Sequence, residues 1–517
     1  RGGVWVIYNM VTPAFSLRAL PLVPKSAHVR SLSGLIHGNN IPTYDVVVVG
    51  AGLVGAVFAR ALRANPLTAD LKVALVDREQ LSESLSPFNP SHVPSARVST
   101  ITPTNVTFLK RLGAWSPEVD ARAASFDSMQ VWDASGLGHV RYSSLEAGAP
   151  SLGRVVENHV LQSSLHQLLK ECTSTEVWSG ACVERLDTAG EDHDHRAVLA
   201  LEDGAVLRAR LVVGADGAGS RVRSLAGVRT AGWWYNHHAV VSTVRTDFPT
   251  RTAWQRFLRT GPLALLPSAG DFSNVVWSTT AARAAQLAKM TPPEFAAAVN
   301  EALHSPATAV PEQQPTSLRV PDLFGVREAA AGLAARVEAG LPGPALEAPP
   351  YVVDAPGPKG AFPLQLAQAA RYVVPRVALI GDAAHTVHPL AGQGVNMGFT
   401  DAMVLAQVLD EALQTGGDIG CVSVLKQYER QQQISNSAMM AGLDGIQRLF
   451  DSEDKSLAFV RAAGLRLVNS SPSLKKQIIL YAMGNVTPTD LASDAHRRLA
   501  DILGSLGVKL PTSSSPI

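Results

Sequence analysis

Apolar runs and helical spacing alternate along the first quarter of the chain. Tyr44 to Val49 is an apolar run interrupted only by Asp45, as expected for a parallel strand covered on both faces. Leu53 to Ala64 follows with helical spacing and stops at Asn65-Pro66. Lys72 to Val76 is a second strand that ends at Asp77, so the chain opens as a βαβ unit. Val93 to Gly113 reads as a loop plus a helix. Asn158 to Glu171 repeats Val160, Leu161, Leu165, Leu168 and Leu169 at helical intervals. Ala197–Leu201 and Val206–Val213, joined through Glu202-Asp203-Gly204, predict a hairpin. Its second strand delivers Gly214-Ala215-Asp216-Gly217.

The texture changes between about residues 230 and 370. Aromatic residues (Trp233, Trp234, Tyr235, Trp254, Phe257, Phe272, Trp277) lie among alternating runs such as His238–Val244 and Asn274–Thr279. This predicts a sheet-rich second domain. Within it, Ser305 to Phe362 is rich in Pro, Ala and Gly, as in a long surface loop or insertion. Val377 to Ile380 then forms a buried strand ending in Gly381-Asp382. A loop crosses His385, His388 and Pro389, and Gly392-Gln393-Gly394 opens a helix. Helical periodicity continues to about residue 505, and Pro511–Ile517 reads as a disordered tail. The whole is an α/β chain.

Composition narrows the classes. The 517 residues suffice for two or three domains, and a net charge of +1 leaves no global footprint for nucleic acid. Cys172, Cys182 and Cys421 lack metal or redox spacing and read as reduced core residues. No run of about 18 apolar residues predicts a membrane span. Residues 1–43 carry Arg1, Arg18, Lys25 and Arg30 with frequent serines and no acid, the composition of a mitochondrial transit peptide.

Chemistry enters at the glycines. Gly50, Gly52 and Gly55 stand between strand and helix: Gly50 for a tight turn, Gly52 for close approach of a diphosphate, Gly55 for helix–strand packing. The helix N-terminus then offers unpaired N–H groups to phosphate. Asp77, 22 residues past Gly55, is placed to accept the hydroxyls of an adenosine ribose. A nicotinamide-binding domain would close within one continuous block. Here Asp216 and Asp382 follow late strands that return to the same sheet, which suits FAD, with its ribityl chain and isoalloxazine ring. Gly381 and Asp382 fit the ribityl and diphosphate region. Gly392 and Gly394 open a helix whose N–H groups meet the negative charge of a reduced flavin. Asn396 is a candidate cofactor-binding residue, with ordering of that turn as its other reading. His388 and Gln393 are candidate flavin-adjacent residues. His385 and His388 have no third ligand nearby, so no metal is expected. A second glycine-rich nucleotide fold is missing from the sequence, so reductant docks transiently or electrons come from a protein.

These segments resemble a known family. YDVVVVGAGLVG, GADGAGSRVR (Gly214–Arg223) and GDAAHTVHPLAGQGVNMG (Gly381–Gly398) are similar to the three flavin motifs of aromatic-ring monooxygenases. RVSTITP, AWQRFL, GPLALLP, VVWST and SPSLKKQI extend the resemblance to the ubiquinone-biosynthesis subfamily over about residues 44–484. Arg259 departs from the family's usual proline, and residues 305–360 hardly match. The resemblance implies a Rossmann-like FAD-binding domain of the p-hydroxybenzoate hydroxylase type. An inserted sheet-rich substrate domain and a helical C-terminal part complete it. The FAD-binding domain is expected in three parts, 44–122, 150–228 and 371–415; the substrate domain in 123–149 and 229–370; C-terminal helices in 416–510; and the tail in 511–517.

Arg97 is implied on the flavin side of the site, and Asp216-Gly217 near the diphosphate. Trp254 and Phe257 are expected to wall the substrate ring. The implied reaction is hydroxylation of a polyprenylated 4-hydroxybenzoate or phenol with O2, through a C4a-hydroperoxide of the flavin. Ferredoxin and ferredoxin reductase are the implied electron source. Other proteins of the quinone-synthesis complex and the matrix face of the inner membrane are the implied surroundings. Leu457, Val460, Leu467 and Val468 with Arg461, Arg466, Lys475 and Lys476 read either as a basic-apolar membrane surface or as a core-facing helix. Two other readings stay open: an FAD oxidoreductase or epoxidase acting on another lipid, and a prenyl-lipid carrier of the GDP-dissociation-inhibitor type.

Overall fold

A computed structural model describes residues 41–81, 89, 92–134, 138–188, 196–305, 346–451 and 455–484. The leader expected in 1–43, most of the Pro-rich stretch and the chain beyond Gly484 lie outside the described residues, apart from 41–43 and 346–362.

An eight-stranded sheet has Thr43–Val49 near its centre. Val73–Asp77 and Val206–Gly214 pair with it in parallel on either side. Val377–Leu379 pairs in parallel with Val206–Gly214. The central strands are buried on both faces, which explains their unbroken Val and Leu runs. Their registers bring four strand ends together: Val49 opposite Val76, Val49 opposite Gly214, and Gly214 opposite Leu379. Three backbone bonds extend the row past the strands: Gly50 N–H to Val76 O at 2.8 Å, Ala215 N–H to Val49 O at 2.8 Å, and Ile380 N–H to Gly214 O at 3.0 Å. The turns after Val49, Val76, Gly214 and Ile380 therefore leave the same edge. In an open α/β sheet that edge, outside the carboxyl ends of the strands, is where a ligand is bound.

Helices Leu53–Ala64, Asn158–Lys170 and Gln393–Gln414 pack on this sheet. Gly398 allows Gln393–Gln414 to lie close on Leu53–Ala64, because a Cβ there would come within 2.5 Å of Val54 Cγ2. The predicted hairpin is present as Ala197–Leu201 against Val206–Gly214.

A second, nine-stranded sheet forms from distant segments. Thr230–Thr246 is its spine, pairing with Phe272–Thr280 and Gly360–Ala369. Thr252–Leu258 lies parallel to Ser128–Asp133. Helices Ala281–Lys289 and Pro292–His304 cover one face of the sheet. Part of the Pro-rich stretch is strand: Ala361 and Phe362 pair with Val240 and Ala239. The backbone ladder is indifferent to the composition that marked the segment as loop. A third sheet joins Val98–Ile101, Gly153–Glu157 and Ala124–Phe126. Its first strand lies inside the stretch expected to be loop and helix.

Four helices close the described chain: Gln393–Gln414, Val422–Asp451, Lys455–Ser470 and Pro472–Ala482. Arg461 and Lys475 are buried in them, Arg461 on Asp133 at 3.0 Å and Lys475 on Glu146 at 2.5 Å. Those two cations face protein, so they do not form the edge of a membrane surface. The cysteines are half-buried at Cys172 and Cys182 and exposed at Cys421, rather than in the core.

Candidate active site

The three glycines of the first turn meet three different constraints. Gly50 has φ +106°, and a Cβ there would lie 2.4 Å from Ala215 O. A Cβ on Gly55 would lie 1.9 Å from Gly50 O. At Gly52 a Cβ would meet nothing within 4 Å, and no side chain caps the helix it opens. A helix N-terminus thus faces open space with its N–H groups available, as a diphosphate requires. Asp77 Oδ2 accepts Ala51 N–H at 2.5 Å, and Oδ1 accepts Glu79 N–H at 2.8 Å. Asp77 therefore also holds the glycine turn in place. His166, which sequence reasoning missed, bonds Ala51 O at 2.6 Å through Nε2. Its signal was only one more position in an amphipathic helix.

The second turn is ordered by Asp216. Its carboxylate accepts Ser220 Oγ at 2.6 Å, Arg221 N–H at 2.7 Å and Val222 N–H at 3.1 Å. Gly217 has φ +80° and open space at its Cα. Arg223 donates to Ala218 O at 2.7 Å and to Ala383 O at 2.9 Å, tying the second turn to the third. Arg223 was also missed in the sequence, where it is one arginine of a basic stretch.

Asp382 in the third turn keeps an exposed surface and makes no hydrogen bond with its side chain among the described residues. Protein nevertheless surrounds it deeply enough that desolvation raises its carboxyl above the usual range, with the charge of His385 opposing and that of Asp401 adding. An accessible acid so far inside the molecule borders a concavity. Beneath it, Asp401 accepts Gly381 N–H at 2.9 Å, His385 Nε2 at 2.6 Å and Asn436 Nδ2 at 3.0 Å. Both side chains of the His385–Asp401 pair are fully buried. Burial works against the charge on His385, but the charge and hydrogen bond of Asp401, with Asp382 adding, hold the imidazole above its ordinary range.

At the fourth turn Gly392 adopts φ +62° without a side-chain cap, and a Cβ there would come within 2.8 Å of Thr100. Gly394 is half-buried in the first turn of the long helix. Asn396 was expected to touch the cofactor. Instead its Nδ2 donates to Thr100 O at 2.6 Å and Gly392 O at 3.0 Å, and its Oδ1 accepts Thr102 N–H at 3.0 Å and Asn105 Nδ2 at 2.9 Å. All four of its bonding positions are taken, so it positions the turn. Gln393 is buried and donates to Ala482 O at 3.3 Å, so it ties the turn to the C-terminal helices rather than facing a ring.

His388 is wholly buried, edge-on to Tyr235 at 5.2 Å, with no partner for either nitrogen among the described residues. Burial, then the charge of His237, push it down to about 4. With no open surface it packs behind the site instead of walling a ligand. Arg97 is exposed just ahead of the strand that carries Thr100, and its guanidinium forms no ion pair among the described residues.

Trp254 and Phe257 are three positions apart on one strand and so point to opposite faces. Trp254 lies in the helix-covered core against Trp132 at 6.4 Å and donates to Thr250 Oγ1 at 3.1 Å. It does not wall the site. Phe257 is on the other face, in an apolar cluster with Leu390 of the fourth turn, and stacks on Phe450 at 3.8 Å. On that same face Val241, Val276 and Ala264 are half-buried, forming an apolar wall.

Glycine- and acid-bearing turns gathered after Val49, Val76, Gly214 and Ile380 at one sheet edge, beside a second sheet, are the framework of an FAD-dependent aromatic-ring monooxygenase. The family model for the FAD binding domain matches residues 43–323 and 345–441. The cofactor is FAD, and the cradle at Gly52 and the open acid at Asp382 fit it.

The chain belongs to the mitochondrial ubiquinone-biosynthesis monooxygenases. It is 37% identical to ubiquinone biosynthesis monooxygenase COQ6 of Homo sapiens over 489 residues, 92% of this chain and 99% of that protein. With the Caenorhabditis elegans protein of the same name it shares 32% identity over 442 residues, 85% of this chain and 95% of the other. Among solved structures, p-nitrophenol 4-monooxygenase PnpA from Pseudomonas putida shares the fold at a TM-score of 0.60 and 20% identity, covering 86% of this chain and 99% of that one. PqsL of P. aeruginosa gives 0.58 and 22%, covering 82% and 99%. The protein is thus a flavin monooxygenase of ubiquinone biosynthesis, and neither the epoxidase nor the prenyl-carrier reading is favoured.

Proposed function

We propose that this chain hydroxylates the ring of a polyprenylated 4-hydroxybenzoate or phenol. The observation that carries this reading is the alignment of Val76, Val49, Gly214 and Leu379, which sends four turns toward one apolar wall. The turn shaped by Gly50 and Gly55 would present Gly52 and the helix N-terminus to the diphosphate, and the remaining acceptor positions of Asp77 would take the ribose. Asp216-Gly217 would border the diphosphate, and Gly381-Asp382 the ribityl chain. The N–H groups at Gly392 and Gly394 would meet negative charge on the ring system, with Arg97 at the rim. Bound FAD supplies the electron storage and oxygen activation. The wall of Val241, Val276 and Ala264 orients an aromatic ring and keeps water out.

Electrons arrive, on this reading, from ferredoxin and its NADPH-dependent reductase, as the family resemblance implies; the single glycine-rich nucleotide turn of the strand–helix type is compatible with that source and equally with a reductant that docks transiently. The surroundings are the quinone-synthesis complex on the matrix face of the inner membrane. The relatives are named mitochondrial, and a polyprenyl chain resides in a bilayer. No helix among the described residues is long and apolar enough to cross a membrane.

The test is a reconstitution with FAD, ferredoxin, its reductase, NADPH and isotopically labelled oxygen. The expected product is a prenylated ring carrying one labelled oxygen atom. Reoxidation that yields only peroxide contradicts the hydroxylation. Rapid oxidation of NADPH by the protein alone contradicts the ferredoxin route.

A further inference from the structure

The second sheet carries, on the face away from its covering helices, the amide of Gln255, which is unpaired among the described residues. Strand registers align Gly360, Val241, Val276, Ala264, Gln255 and Val131 in a single row across the second sheet. Trp254 and Arg256 point to the helix-covered side, Arg256 donating to Ala302 O at 3.1 Å, so Gln255 lies on the opposite face. That face is closed at one side by Phe257 clustered with Leu390. At the other, Thr243 donates to Pro94 O at 2.8 Å and Asn274 to Ser95 O at 3.1 Å. Between these closures Val241, Val276 and Ala264 keep partly open surfaces, although they sit in the middle of a nine-stranded sheet. Side chains in that position border open space on this face.

Gln255 is 7% exposed, and its amide makes no hydrogen bond among the described residues. Gln130 on the neighbouring strand behaves differently: it donates to Glu347 O and accepts Glu347 N–H at 2.8 and 2.9 Å. The carbonyls of Gln432 and Gln447 are sealed without partners, whereas the amide of Gln255 is not. A nearly buried amide whose polar atoms still reach open space keeps its donor and acceptor positions available to a ligand.

We infer that Gln255 binds substrate. Its amide hydrogen-bonds an oxygen substituent of the ring and sets which ring carbon faces the cofactor. The inference rests on the reading that an oxygenated aromatic ring lies on this wall. An amide both donates and accepts, so a hydroxyl and a carboxylate are equally served. A site built around such a bond discriminates strongly against a ring that cannot make it.

The test uses FAD-loaded wild type, Gln255→Leu and Gln255→Glu with two probes, geranylated para-hydroxybenzoate and geranylated phenol. Ring binding is read from the flavin absorbance. Coupling is read as hydroxylated product against peroxide after the enzyme is reduced with dithionite and mixed with oxygen. Gln255→Leu is expected to retain FAD and to weaken ring binding about tenfold or more, with peroxide rising at the expense of product. Gln255→Glu that weakens the acid more than the phenol assigns the amide to the carboxylate; equal weakening assigns it to the hydroxyl. Wild type that hydroxylates the ring while Gln255→Leu keeps the same dissociation constant and coupling overturns this assignment alone. Wild type that accepts neither ring overturns both the assignment and the reading beneath it.

Discussion

Gly52 and Gly55 separate cofactor binding from folding at the scale of single residues. Gly52→Ala places a methyl in open space where the diphosphate belongs, so FAD affinity should fall while the thermal midpoint moves little. Gly55→Ala drives a methyl into Gly50 O, so the protein itself should be destabilised. Thermal melts paired with FAD titrations check both. The two buried histidines predict opposite pH slopes. His385 is held above its ordinary 6.5, so its pairing with Asp401 stabilises fully below that pH and fades as pH rises through the folded-state value. His388 is depressed to about 4, so the fold should lose up to ~3 kcal/mol as pH falls from about 6.5 to 4. Denaturant midpoints across pH should lose the alkaline slope in His385→Gln and the acid slope in His388→Leu. The glycine roles were legible because each is a steric demand on one residue. The fates of Asn396 and His388 were not, because whether a polar side chain meets ligand or protein depends on partners from distant segments, Thr100 and Asn105 for one and Tyr235 for the other.

At the scale of elements, periodicity located the helix Leu53–Ala64 and both strands of the hairpin, since each carries an uninterrupted pattern. Val98–Ile101 escaped it. Ser99 and Thr100 break the apolar run, and three of its four residues remain half-buried beside the site. Trp254 and Phe257 were read as one aromatic wall, yet a strand places residues three apart on opposite faces. The C-terminal helices were expected either at a membrane or against the core. Arg461 on Asp133 clamps Lys455–Ser470 to the strand Ser128–Asp133. Asp133→Ala removes a buried carboxylate from that guanidinium and should cost about 3–5 kcal/mol in urea unfolding. Asp133→Leu with Arg461→Met should recover most of the loss. Equal stability of Asp133→Ala and wild type would show that the clamp contributes nothing.

The whole molecule is organised by a sheet edge assembled from residues far apart in the chain. Asp77, Asp216 and Asp382 each stand at or just past the end of a strand, and that repetition makes the shared edge legible in the sequence. The substrate sheet was less readable from the residue pattern, because its strand at 128–133 lies far from 230–280 in the chain and was placed in that domain only by the family resemblance. The composition of the intervening Pro-rich stretch hid part of it. Asp382 is the most direct probe of this assembly, since it is an open acid after the strand Val377–Leu379 and its side chain makes no hydrogen bond among the described residues. The decisive measurement is an FAD titration, followed by flavin fluorescence, of Asp382→Ala against wild type. Convergence on one cofactor requires the dissociation constant to rise about tenfold or more at an unchanged thermal midpoint. A variant that binds FAD as tightly as wild type contradicts it.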